Sequence, residues 1–377
     1  MQRGLILVSL AGLCCLNVAV ARADSWQVQI AEGQQQVWRL IPVAMVEPEQ
    51  DSQAMAWLKA MSDAMRTTDY SGTYVHVRGD EIDTTALWHR AGSAGEQEKL
   101  LTLSGESRVV LRQNDHCECQ WPDRREIVFG DFPGVRSRLS GLRFSDPQAL
   151  TAHYRIVSLG TSRVADHACH VVGLVPKDAW RYGYKLCITA HSHLLARMSL
   201  YDTRGLPIEH DFFTALNIGA TDGQSWPDMA PGKPDAVPPG YRIVERPAGV
   251  TPQALAPDEG WSVSPLLPGY QIKSRVWREN PVTHQRFEHI IVSDGLSTAS
   301  VFVEHLPQTK ALDPDAAKYG VNIVVRQVGD VRLTVIGDVP MAAVEQICQN
   351  TRPVQELPGA QSEQNPLLPP GAPDSAP

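Results

Sequence analysis

The chain has 377 residues, 43% hydrophobic and 20% charged, with a net charge of -8. That length exceeds one ordinary core and fits two domains with tails. The acidic balance lacks the basic footprint of a nucleic-acid binder and mainly favours solubility.

Met1 to Ala23 reads as an export leader: Arg3 gives a basic start, Leu5 to Ala21 is apolar, and Ala21-Arg22-Ala23 forms an A-x-A cleavage site. Leu13, rather than a small residue, precedes Cys14, which argues against lipidation. No later apolar run is long enough to span a bilayer as a helix. A periplasmic location is expected. Cleavage would leave Cys117, Cys119, Cys169, Cys187 and Cys348. Export permits disulfides, and a hairpin centred near Asp178 would set Cys169 almost opposite Cys187, the best candidate pair. Cys117 and Cys119, at i and i+2 of a strand, are too far apart for an unstrained bond, and their pairing and that of Cys348 stay open.

Residues 24–49 form a poorly patterned lead-in arm, interrupted by Gln34–Gln36 and Pro42. The spacing of Met55, Leu58, Met61 and Met65 predicts an amphipathic helix over 52–67, with Ser52 as its cap. A long β-patterned region follows. Alternation predicts strands at 73–77, 82–90, 99–103, 107–113 and 117–121, then at 154–157, 163–165, 169–175, 182–189, 194–201 and 208–216. A second helix is expected over 144–155, with Ser145 capping and Pro147 in its first turn. Residues 50–216 therefore read as an α+β domain, a large antiparallel half-barrel sheet covered by helices.

Residues 217–262 are crowded with Pro, Gly and small polar residues and carry no sustained period, so they read as an interdomain linker. A smaller antiparallel domain of α/β type is expected over 263–352. Its strands are predicted at 270–278, 287–292, 298–306, 321–328 and 331–337, and its closing helix at 340–348. Residues 353–377 form a Pro-rich tail expected to be disordered.

No G-x-S-x-G, G-x-G-x-x-G, Walker loop or H-E-x-x-H occurs, so neither a cofactor nor catalysis is indicated. Asp166, His167, Cys169, His170, Cys187, His191 and His193 could supply thiolate and imidazole to zinc, but a cross-strand disulfide with turn histidines is the preferred account. No metal ligand is therefore assigned. Trp57, Trp121, Phe129, Phe144, Trp180, Tyr182 and Tyr184 are the candidates for an apolar cavity in the half-barrel. Burial contributes about 0.8 kcal/mol per methylene, so such a cavity could hold an acyl chain by shape alone.

The run Pro176-Lys177-Asp178-Ala179-Trp180-Arg181-Tyr182-Gly183-Tyr184, followed by Leu194-Leu195 and Ile208-Glu209-His210, resembles the MucB/RseB regulators. Leu267-Pro268-Gly269-Tyr270, Val292-Ser293-Asp294-Gly295-Leu296 and Thr334 to Pro340 agree, in order, across about residues 50–352. The resemblance implies a first domain like the lipoprotein carriers LolA and LolB. It also implies a partner, the periplasmic domain of a single-span anti-sigma factor, shielded from proteolysis until lipid or lipopolysaccharide promotes release. On that reading Tyr241, Arg242 and Trp261 are the partner and hinge candidates. Two other readings stay open: a periplasmic lipid or lipoprotein carrier, and an exported metal-dependent or triad hydrolase.

Overall fold

The computed structural model describes residues 48–93, 95–131, 138–144, 146–219, 229–233, 237–244, 253–280, 283–305, 315–318 and 320–356. The leader, most of the arm and the last part of the tail lie outside the described residues.

Helix α1 (Pro48–Thr67) locates the larger core. Ala54, Leu58, Met61 and Met65, spaced to share one face, are all fully buried. They press on a twelve-stranded sheet built from β1 (Tyr70–Arg78), β2 (Glu81–Gly92), β3 (Gly95–Thr102), β4 (Val109–Gln113), β5 (His116–Trp121), β6 (Glu126–Asp131), β7 (Tyr154–Val164), β8 (His167–Pro176), β9 (Gly183–Thr189), β10 (Leu195–Tyr201), β11 (Pro207–Ile218) and β12 (Arg242–Ile243). The spatial order is β12-β6-β5-β4-β3-β2-β1-β11-β10-β9-β8-β7. Strands β1 to β6 and β7 to β11 each run as antiparallel neighbours, and β1 pairs with both β2 and β11, which brings the two halves of the strand series together. Leu87, Val172, Leu186 and Leu195 complete the core on the α1 side.

The second sheet has the order β13-β15-β16-β17-β20-β19-β18. It comprises β13 (Gln253–Ala254), β15 (Gln271–Glu279), β16 (Arg286–Ser293), β17 (Thr298–His305), β18 (Asp315–Lys318), β19 (Val321–Val328) and β20 (Val331–Gly337), with β14 (Trp261–Val263) beside it. On β17 and β20 alternate residues Val301, Val303, Leu333 and Val335 are fully buried, the period-two pattern of a half-buried sheet. Helix α3 (Met341–Asn350), numbered after the short α2 (Arg138–Gly141), covers them with Val344 and Ile347. This is the expected fold class, a large antiparallel sheet and a smaller one with few helices.

Four local expectations need correction. The helix expected over 144–155 is a 3-10 turn, Pro147–Ala152, capped by Asp146, whose Oδ1 accepts from Gln148 N at 3.0 Å. Tyr154 already belongs to β7, which continues to Val164 as one strand, so 154–157 and 163–164 are not separate, with an irregularity between Ser158 and Thr161 and Ala165 in the turn that follows. Strand β6 was not expected; it pairs with β5 along its whole length. Residues 353–356, expected in the disordered tail, are structured: β21 (Thr351–Pro353) pairs with β14, and Val354 is buried, its N–H donating to Gly260 O at 2.8 Å.

The segment 217–262 is also more structured than its composition suggests. β12 lies parallel on β6, β13 pairs with β15, and Gly232 N donates to Glu118 Oε2 at 2.5 Å. Prolines remove single donors, and the residues between them still pair with sheet edges.

Candidate functional site

The two sheets meet at a seam, and the residues that close it come from the hairpin between β8 and β9. Arg181 is fully buried there. A guanidinium cannot shed its charge, so every N–H must find an acceptor. Its Nε donates to Asp294 Oδ2 at 2.6 Å, Nη1 to Asp178 and Nη2 to the carbonyl of Pro268. Its carbon end lies 4.9 Å from the centroid of the Tyr270 ring, a cation–π contact. Asp178 belongs to the larger domain's hairpin, whereas Asp294, Pro268 and Tyr270 belong to the smaller one. Asp294 also folds the β16–β17 turn, its Oδ1 accepting from Leu296 N and Ser297 N.

Neighbouring aromatics extend the seam. Tyr270 donates its hydroxyl to Trp180 O at 3.1 Å. Tyr182 donates to Gly320 O, while Asn322 Nδ2 donates to the Tyr182 hydroxyl at 2.9 Å and to Val339 O at 2.7 Å. Burial pushes the Tyr182, Tyr184 and Tyr270 phenols up, so all three stay neutral hydroxyls.

A third connection runs along the sheet face that carries α1. On β1 and β11 the opposed pairs are Tyr74 with Phe213, His76 with Asp211, and Arg78 with Glu209. The ladder passes from an edge-on aromatic pair, centroids 6.1 Å apart, to charges. Arg78 Nε lies 2.9 Å from Glu209 Oε2, and Arg78 Nη2 donates to Asp338 Oδ1 of the smaller domain at 2.7 Å. Beside this pair a cavity of about 460 Å³ opens between the domains. Tyr184, Met198, Leu200 and Leu296 line it, and Arg78 and Asp338 also border it. Such a site can hold an apolar side chain or chain end and place a polar group at its charged border.

The seven aromatic candidates do not share one cavity. Trp57 stacks on His170, centroids 3.9 Å apart, and with Phe144 it packs on the larger core. Tyr184 lines the seam cavity, Tyr182 is tied to Asn322, and Trp180 packs on the smaller core. Trp121 lines a separate cavity of about 450 Å³ with Tyr74 and Leu100. Phe129, opposite Glu118 in the β5–β6 register, lies on the other sheet face, because alternate strand residues point to opposite sides.

The partner candidates separate too. Trp261 is 7% exposed and packs in the smaller core, so it is not available to face a partner. Arg242 is exposed and pairs with Glu126, and Tyr241 is half-buried. A disulfide joins Cys169 to Cys187 with Cα atoms 5.5 Å apart. Nearby histidines have other contacts: His167 Nε2 lies 2.9 Å from Leu216 O, and His170 stacks on Trp57. Arg78, Asp338, His76 and Asp211 were not among the sequence candidates. Asp338 lies within the Thr334 to Pro340 block and Asp211 beside the Ile208-Glu209-His210 block, whereas His76 and Arg78 lie in neither.

Residues 53–242 match the profile of the MucB/RseB N-terminal domain, and residues 256–352 match the MucB/RseB C-terminal domain. The chain belongs to the MucB/RseB family. It is 28% identical to the sigma factor AlgU regulatory protein MucB of Pseudomonas aeruginosa, over 82% of this chain and 93% of that protein. It is 23% identical to the sigma-E factor regulatory protein RseB of Escherichia coli K12, over 79% of this chain and 90% of that protein. Its fold superposes on MucB in the Pseudomonas aeruginosa MucA/MucB complex with a TM-score of 0.61 and 27% identity, covering 80% of this chain and 99% of that one. Members of the MucB/RseB family are regulatory binding proteins and not enzymes. The motif that carries the likeness, 176–184, is the hairpin that closes the seam, which explains its composition without catalysis.

Proposed function

We propose that this protein is a periplasmic negative regulator of an envelope-stress sigma factor, exported by a leader cleaved after Ala23. It binds the periplasmic region of a membrane-spanning anti-sigma factor and shields it from regulated proteolysis. Lipid or lipopolysaccharide reaching the first domain promotes release. The division into 50–216, a linker at 217–262 and 263–352 belongs to the same reading. Its main support is the seam cavity, which has apolar walls from both domains and charge at its border, as a peptide partner requires.

Lipid can release the peptide only by binding the peptide-free form better. A preference of about 100-fold supplies about 2.7 kcal/mol of coupling. The test is calorimetry of the purified chain with the anti-sigma factor's periplasmic segment, with and without lipopolysaccharide. Saturable binding weakened by lipopolysaccharide is expected. Absence of binding overturns the reading, and binding indifferent to lipopolysaccharide overturns the gating alone.

The cavity lined by Tyr74, Leu100 and Trp121 favours a second reading, a lipid or lipoprotein carrier. A carrier needs only the larger domain, so removal of 263–352 should leave transfer intact. Against it stands Arg181, which that removal would strip of Asp294 and Pro268.

A further inference from the structure

His76, Asp211 and Glu209 form a cluster outside the hairpin contacts, on the sheet face that carries α1. The β1–β11 register sets His76 directly opposite Asp211, with Glu209 two residues along the same strand and therefore on the same face. His76 Nδ1 lies 3.0 Å from Asp211 Oδ1 and 3.9 Å from Glu209 Oε1. The three ligand atoms fall within 4.8 Å of one another. A metal held at about 2.0–2.2 Å by nitrogen and oxygen needs its ligands roughly 3.4 Å apart in a tetrahedron, a spacing that the two measured distances bracket.

A second observation points to a cation site. Asp211 is 0% exposed, yet its Oδ2 has no hydrogen-bond partner. The local charge is unbalanced as well. Two buried carboxylates, Glu209 and Asp211, meet one buried guanidinium, Arg78, whose other partner Asp338 is half exposed, so one buried negative charge is left over. A buried charge without compensation is costly. A cation held between the two carboxylates and the imidazole compensates that charge.

We propose that His76, Glu209 and Asp211 bind a divalent transition-metal cation of the zinc class. One imidazole with two carboxylates suits zinc, cobalt or manganese better than calcium, which prefers oxygen ligands throughout. Access is through the cavity lined by His76, Asp83 and Trp121. Coordination through Nδ1 uses the neutral tautomer with its proton on Nε2 and leaves room for water in the remaining coordination position. Coordination also competes with Arg78 for Glu209, which links the metal to the Arg78–Asp338 contact between domains.

The test is a cobalt(II) titration of the chelator-treated full chain, read by visible absorption. Expected is one saturable equivalent with d–d bands and no thiolate-to-cobalt charge transfer. Asp211→Asn and His76→Gln should each weaken it by at least about tenfold, whereas Cys117→Ser/Cys119→Ser should leave it unchanged. Absence of saturable bands in the unaltered chain overturns the proposal without recourse to variants. A thiolate charge-transfer band, or bands retained in both folded ligand variants, overturns it equally.

Discussion

Arg181 and Asp294, 113 positions apart in sequence, form an ion pair with 0% and 1% side-chain exposure and an Nε–Oδ2 distance of 2.6 Å. Each comes from a different sheet, so the pair joins the domains and not merely two strands. Removing one partner strands the other charge in a dry site, a loss of about 3–5 kcal/mol. Arg181→Ala and Asp294→Ala should each lower the urea unfolding free energy by about that amount. Arg181→Lys should rescue little, because one ammonium cannot reach Asp178, Asp294 and Pro268 O together. Full stability in Arg181→Lys would contradict the fork geometry.

His289 sets an expected acid sensitivity in the smaller domain. Its ring stacks on Phe302 with centroids 4.6 Å apart, and Nδ1 accepts from Arg278 Nε at 2.9 Å. Burial first, and the Arg278 charge second, push its pKa from 6.5 down to about 4. The folded pKa is depressed, so the unfolded chain takes up a proton that the folded one refuses. Stability is therefore full above 6.5 and falls as pH drops toward about 4. The slope from one such group is about 1.4 kcal/mol per pH unit. His89, also lowered mainly by burial, adds in the same direction. His289→Gln, which keeps an acceptor for Arg278, should flatten the curve of unfolding free energy against pH in this window. An unchanged slope would remove His289 as the cause.

Much of the fold was legible in the sequence, and little of the site. The stripe Leu58, Met61 and Met65 and the alternation Val331, Leu333 and Val335 are local periods imposed by burial on one face. The 144–155 segment misled because the Asp146–Pro147 start suits a short 3-10 turn as well as a helix, and pairing with β8 claims Tyr154 and Arg155 for β7. Phe129 misled because aromatic content does not report which sheet face a residue takes. The pairs that make the seam, Arg181 with Asp294 and Arg78 with Asp338, join strands far apart in the chain and leave no period. The resemblance marked the 176–184 hairpin; only its docking on the second sheet gives Arg181 a task.

The Cys169–Cys187 bond closes a loop of 18 residues across β8 and β9. Both sulfurs are buried, with residue exposures of 1%. A loop of that size corresponds to about 3 kcal/mol through restriction of the unfolded chain. The double variant Cys169→Ala/Cys187→Ala should unfold at lower urea by an equivalent amount, and added reductant should then have no further effect. A variant as stable as the parent would show that the closed loop contributes nothing.

Gly269 tests the seam from the backbone side. It has φ +78°, a conformation that costs an L side chain strain, and a Cβ there would lie 2.0 Å from His153 Nε2 of the larger domain. Gly269→Ala therefore carries two separable penalties, local strain and collision across the domain boundary. Together they should reduce stability by about 2 kcal/mol or more. His153→Ala removes the collision and leaves the strain. The double variant Gly269→Ala/His153→Ala should accordingly lose less than the sum of the two single losses, measured as a double-mutant cycle in urea. Strict additivity would mean that His153 and Gly269 do not meet in solution and that the domains pack differently there.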